Sequence, residues 1–168
     1  MDSCIFSYYI SENANNVIEG LTNRHKFGKY TVYTDSKTPY VSACNESCEC
    51  AIFGLAINVF TGENRDLAKE MVADCSDIED IVSLEKKLGG KYIIFYRKNE
   101  EYYIIADATC SIPIFYTTSG EFSSASNYRY LVDRYGYFVD QEFQKIRDSG
   151  SISQAMPYDI TQYREIKQ

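Results

Sequence analysis

Apolar residues fall along the chain in short runs broken by polar clusters, and the spacing within each run sets the element it favours. Residues 4–10 form an apolar and aromatic run that predicts a first strand, ended by the polar stretch 11–16. A short helix is expected over 17–21. Residues 30–34 and 40–43 are β-prone and flank a turn at 35–39. The run 51–60 is almost wholly apolar and predicts a strand covered on both faces, closed by a turn at 61–64. Helices are expected over 65–73 and 78–88. Ser76 and Glu79 have the spacing of a capping box, Ile81, Leu84 and Leu88 lie on one helical face, and Gly89-Gly90 supplies a stop. Strands at 92–96 and 102–106 flank a hairpin loop at 97–101, and strands at 114–117 and 121–125 flank a turn at 118–120. A helix starting near Asn127 turns Tyr130, Leu131 and Val132 inward. Residues 150–168 lack periodicity and read as an irregular extension with one short strand. The pattern is α+β, with antiparallel hairpins and helices between them.

The 168 residues suffice for one independently stable domain, and the hydrophobic (45%) and charged (24%) fractions are ordinary for a globular chain. The 16 tyrosines change the picture more. Their rings pack while their hydroxyls stay wet, which favours half-buried sheet surfaces. A formal net charge of −7, with no basic cluster, argues against nucleic acid as a partner. No run reaches the length of a membrane span, and Met1-Asp2-Ser3-Cys4 lacks a basic leader, so a cytoplasmic product without a membrane partner is expected.

Six cysteines in such a product read as reduced thiols. Cys44, Cys48 and Cys50 have a C-x3-C-x-C spacing that lacks the paired knuckles of zinc sites. Cys48 and Cys50 fall on one side of an extended strand. Cys75 or His25 would be needed to complete a ligand set, and incidental thiols are the plainer reading; no metal or cofactor is expected. His25, the only histidine, lies between Arg24 and Lys26 and reads as solvent-facing.

Read in order, Gly89-Gly90-Lys91-Tyr92, Ala106-Asp107, Pro113-Ile114-Phe115-Tyr116 and Ser124-Ala125-Ser126 resemble the amino-terminal glutaminase domain of the asparagine synthetase family, a class II glutamine amidotransferase. The likeness covers most of residues 52–130. Met156-Pro157-Tyr158 with Ile160 and Tyr163 is similar to the segment leading out of that domain. The resemblance implies an amino-terminal-nucleophile hydrolase-like fold, four layers αββα with two antiparallel sheets. It implies one domain over 1–168, in which 150–168 leads towards an ATP-dependent synthetase domain in cis or in trans.

The catalytic residues do not carry over. The family nucleophile is a cysteine directly after the initiator methionine, whose own amine serves as base; here that position is Asp2. Cys4 lies two positions later, and a role as nucleophile would require processing that frees its amine; otherwise it is a small strand residue. The family's Asn-Gly oxyanion pair has no counterpart in Asn58-Val59 or Gly89-Gly90, and its Arg-Gly segment has none in Asn23-Arg24-His25-Lys26. Gly89, Gly90, Asp107, Pro113, Tyr116, Ser124, Ala125 and Ser126 are then structural motif residues, with Asp107 accepting hydrogen bonds in the turn towards Pro113. The expected function is a catalytically inactive glutaminase-like domain with a structural or partner-binding role. The alternatives are an active hydrolase using Cys4, or a small-ligand binding module.

Overall fold

The computed structural model describes residues 6–13, 18–64, 66–75, 77–149 and 161–168. Ten strands and four helices lie among them: β1 (Tyr8–Ser11), β2 (Asn23–Phe27), β3 (Tyr30–Thr34), β4 (Tyr40–Cys44), β5 (Cys48–Asn58), α1 (Leu67–Asp74), α2 (Ile78–Glu85), β6 (Leu88–Lys98), β7 (Glu101–Ala106), β8 (Phe115–Thr117), β9 (Ser123–Ala125), α3 (Tyr128–Tyr135), α4 (Gln141–Asp148) and β10 (Ile166–Lys167). The strands form two antiparallel sheets. One has six strands in the order β10-β8-β9-β1-β3-β2, and the other four in the order β4-β5-β6-β7.

Period-two alternation decides what each sheet buries. On β5 and β6, Ala51, Phe53, Ile93 and Phe95 face Tyr8, Ile10, Phe27, Tyr30 and Val32 of the six-stranded sheet. Aromatic rings interlock across this inter-sheet core, as where Tyr8 meets Phe95 edge-on at 5.6 Å. The alternate residues Cys50, Ile52, Ile94 and Tyr96 face the other way and are covered by Leu67, Met71 and Ile81 of α1 and α2. The outer face of the six-stranded sheet, with Tyr9 and Tyr33, packs against Leu131 of α3. The described layers thus run helix, sheet, sheet, helix.

Several boundaries differ from those the sequence predicts. The helix expected over 78–88 stops at Glu85, and Leu88 already belongs to β6. Its N-cap is Asp77, whose carboxylate accepts the Asp80 amide at 3.0 Å; Ser76 lies outside the described residues. Gly89 and Gly90 are therefore not a helix stop. They pair with Ile57 and Ala56 inside the β5–β6 ladder. Gly90 has φ 120°, and a Cβ there would run into the Leu55 carbonyl, so only glycine fits. Gly54, φ 94°, opposes Tyr92 in the same ladder and is hemmed in by Lys91 O and by the Phe6 ring.

The β6–β7 loop is tighter than expected, only Asn99 and Glu100, with Asn99 at φ 52°. The apolar run 51–60 is covered on both faces only in its first half. Leu55, Val59 and Phe60 are exposed, the last at 79%. Residues 18–21 make a turn and not a helix, while 17 lies outside the described residues. Strand β2 and helix α4 were not anticipated, since Asn23–Phe27 and Gln141–Asp148 are dominated by polar residues. The short strand expected in the tail is β10, paired with β8.

Candidate functional site

The resemblance directs attention to the end of the sandwich where β1 begins. Residues 1–5, with Asp2 and Cys4, lie outside the described residues. Phe6 packs into the inter-sheet core beside Gly54. The Ser7 amide donates to Asp35 Oδ2 at 2.7 Å, and the Asp35 amide donates back to Ser7 O at 3.3 Å. On the other flank, Tyr8 N donates to Ser126 Oγ at 3.0 Å and Ser126 N donates to Tyr8 O at 3.0 Å. The start of β1 is thus clamped from both sides by residues far away in sequence.

Ser124, Ala125 and Ser126 reach this position because β9 pairs with β1, Ile10 opposite Ser124 and Tyr9 opposite Ala125. The Tyr8 hydroxyl lies 2.9 Å from Ser124 Oγ in full burial, and burial pushes the phenol above its ordinary pKa. Tyr116 joins from β8, opposite Ser124. These four motif residues are therefore neighbours on the six-stranded sheet. Gly90 belongs to the four-stranded one, and Asp107 directly follows its strand β7. The Asp107 amide donates to Tyr92 O at 3.2 Å, and Tyr92 opposes Gly54, which places Asp107 at the same end of the sandwich as Phe6. Pro113 lies half-buried next to Ile112, which enters the inter-sheet core.

Two carboxylates frame this end, and both are saturated. Asp107 accepts the Thr109 hydroxyl at 2.6 Å, the Thr109 amide at 3.0 Å, and the Ser111 amide and hydroxyl at 3.1 Å each. Asp35 accepts the Thr38 hydroxyl and the Lys37 amide, both at 2.7 Å, besides Ser7. Burial alone would raise both pKa values, but the hydroxyl and amide donors outweigh it and hold both below the ordinary carboxylate range. Such groups stay ionised and are poorly suited to take a proton near neutrality. Asp35 was missed in the sequence; the signal was the hydroxyl of Thr38 three residues on, as Thr109 follows Asp107 by two.

The Gly54 amide, at the corner beside Phe6, donates to Pro39 O at 2.9 Å and is not a free oxyanion donor. His25 is not solvent-facing as expected. Its ring stacks on Tyr40 at 3.8 Å, its Nε2 lies 3.3 Å from Thr34 Oγ1, and burial lowers its pKa. β2 turns the side chain inward between the exposed Arg24 and Lys26.

The thiols gather elsewhere. Cys48 and Cys50 point to the helix-covered core, as strand alternation predicts, and Cys75 joins them from the end of α1. The Tyr96 hydroxyl donates to Cys48 Sγ at 3.4 Å, and Cys50 Sγ lies 3.5 Å from Met71 Sδ. Burial pushes the Cys75 thiol up to about 11. Among the described residues no group of three or more histidine, cysteine, aspartate or glutamate side chains is placed to hold a metal. A groove of about 350 Å³ lined by Phe115, Tyr128, Phe143 and Tyr163 shares no residue with the β1 end. Among the described residues no helix is long and apolar enough to cross a membrane.

No protein-family model matches the chain, and no curated protein matches it.

Proposed function

We propose that this chain is a glutaminase-like domain of the asparagine synthetase family, without glutaminase activity, that serves a structural or partner-binding role. Its implied partner is an ATP-dependent synthetase domain, in cis or in trans. The observation that carries the reading is the docking of Ser124-Ala125-Ser126 on the first strand, where Ser126 exchanges hydrogen bonds with Tyr8 directly after the segment that would present a nucleophile. The helix, sheet, sheet, helix order of the described layers supports the αββα arrangement of amino-terminal-nucleophile hydrolases. Inactivity is what the resemblance implies. Asp2 stands where the family needs a thiol, and a carboxylate does not replace one in covalent amide hydrolysis. At the β1 end, both described carboxylates are committed to turns and the Gly54 amide is occupied. Five described cysteines, all free thiols, suit a reducing cytoplasmic setting.

The test is glutamate release from L-glutamine by the full chain, run alongside intact mass after exposure to a diazoketone analogue of glutamine. The reading expects glutamate at the buffer rate and no adduct. Turnover with an adduct on Cys4, and a chain newly beginning at Cys4, would replace it with an active hydrolase. The native product in its own cell should co-elute with, or be covalently continuous with, an ATP-binding synthetase domain. A free 19.3 kDa product binding no such partner would remove the partner role.

A further inference from the structure

The edges of the two sheets differ in how they are protected. An edge strand offers a row of free backbone donors and acceptors, and proteins blunt it with charge, proline, bulges, shortness or a covering element. β2 carries exposed Arg24 and Lys26, β10 is two residues long, and β4 has α1 packed against it. Among the described residues, β7 has none of these devices beyond one terminal charge. It is Glu101-Tyr102-Tyr103-Ile104-Ile105-Ala106, without lysine, proline or bulge, and its six residues pair without interruption with β6. Glu101 at its first position is its only charge.

The hydrogen-bond parity of β7 is fixed at both ends. Lys98 and Glu101 close a two-residue turn, and beyond the strand the Asp107 amide still reaches Tyr92 O. Residues 101, 103 and 105 therefore direct their backbone groups to β6, and Tyr102, Ile104 and Ala106 direct theirs outward. No hydrogen bond from another element of the described protein meets those outward groups. The side chains along the edge are only half-buried.

We propose that β7 is a self-association edge, on which a second copy of this chain adds its own β7 antiparallel about a two-fold axis at Ile104. The inference is independent of the proposed function. Parity requires outward residues to meet outward residues. Ile104 then faces Ile104 of the second copy, Tyr102 faces Ala106, and Tyr103 faces Ile105. About six backbone hydrogen bonds form, flanked by aromatic and β-branched side-chain pairs, and the two four-stranded sheets become one of eight strands. Glu101 falls opposite Asp107, whose carboxylate is turned into its own loop. Each chain carries a net charge of −7, so association strengthens as salt screens the repulsion.

Sedimentation equilibrium of the full chain over a range of concentrations, at low and high salt, reads the mass. Hydrogen exchange at the same concentrations reads the site. The expected mass climbs from 19.3 kDa towards twice that value, sooner at high salt. The amides of Tyr102, Ile104 and Ala106 should gain at least about tenfold protection in the dimer, while those of Tyr103 and Ile105 stay unchanged. Ala106→Pro removes an outward donor and should return the monomer, whereas Val41→Lys on the opposite edge strand should leave the dimer intact. If the proline variant does not fold, the alternating exchange pattern of the unaltered chain decides. A monomer at every concentration and salt, or a dimer whose three outward amides exchange as in the monomer, overturns the proposal.

Discussion

The Ser7 amide and the Asp35 carboxylate, 28 residues apart, meet at 2.7 Å and pin the start of β1 against the turn that follows β3. The Thr38 hydroxyl and two further amides complete the shell around that carboxylate. Replacing Asp35 by alanine leaves the Ser7 and Thr38 donors without their acceptor and should cost about 2 kcal/mol, measured by urea denaturation. The pH dependence has a definite sign. The native pKa lies below the ordinary value, so the contribution is complete at neutral pH, where the group is ionised in both states. As pH falls through the unfolded value of about 3.9, the unfolded chain binds the proton first, and the contribution fades until pH passes the lower native value. Asp35→Asn should therefore lose stability at pH 7 and show a shallower acid limb. An acid limb parallel to that of the unaltered chain would exclude this role.

Gly90 and Gly120 both have positive φ, 120° and 74°, yet alanine should affect them very differently. At Gly120 nothing lies within 4 Å of the added carbon, so only backbone strain of about 1 kcal/mol is expected. At Gly90 the carbon meets the Leu55 carbonyl on the paired strand, and neither backbone can withdraw without breaking the β5–β6 ladder. Gly90→Ala should cost at least about 3 kcal/mol or fail to fold. Thermal melts of the two variants separate the contributions. Equal losses would mean that the close approach is unimportant.

Strand positions were largely legible because alternation and apolar runs report burial directly: Tyr30–Thr34 appears as the pattern predicts, and Ala125 pairs on β1 within an expected strand. Where the reading failed, long-range pairing had overridden local preference. Gly89-Gly90 has the local look of a helix stop, yet the chain needs glycine there because another strand passes too close. Asn23–Phe27 is mostly polar and gives no strand signal, but it becomes an edge strand by pairing with β3 through a turn at Gly28. The clamp on β1 was legible only in part. The hydroxyl spacing after Asp35 and Asp107 signals a carboxylate-capped turn, but nothing local says that Asp35 also receives Ser7.

The cysteines should divide by reactivity. Cys44 and Cys110 are exposed, whereas Cys50 is fully buried and burial also pushes its thiol pKa up. Brief alkylation of the native chain followed by peptide mapping should mark Cys44 and Cys110 within minutes and leave Cys50 unmodified until denaturant is added. Met71→Ala opens space beside Cys50 Sγ and should raise its labelling rate at least about tenfold. Rapid labelling of Cys50 in the unaltered protein would contradict the packing of α1 on β5.

Glu49 joins the two sheets at the end away from Phe6. Its Oε2 accepts the Gly28 amide at 2.8 Å and Arg97 Nε at 3.2 Å, with the charged side chains only 17% and 19% exposed. By contrast, Lys29 and Glu12 form a pair whose side chains are 52% and 38% exposed. Screening by water leaves such an exposed pair worth little, while partial burial and a shared amide donor strengthen the first. A double-mutant cycle with Glu49→Gln and Arg97→Met should give a coupling of about 1 kcal/mol that changes little between low and high salt. The cycle on Lys29 and Glu12 should give less, and that remainder should vanish in salt. Glu49→Ala should cost more than the coupling alone, because the Gly28 amide is left without its acceptor in a half-buried turn. A Glu49–Arg97 coupling indistinguishable from zero at low salt would mean that this cross-strand pair of β5 and β6 adds nothing despite its partial burial.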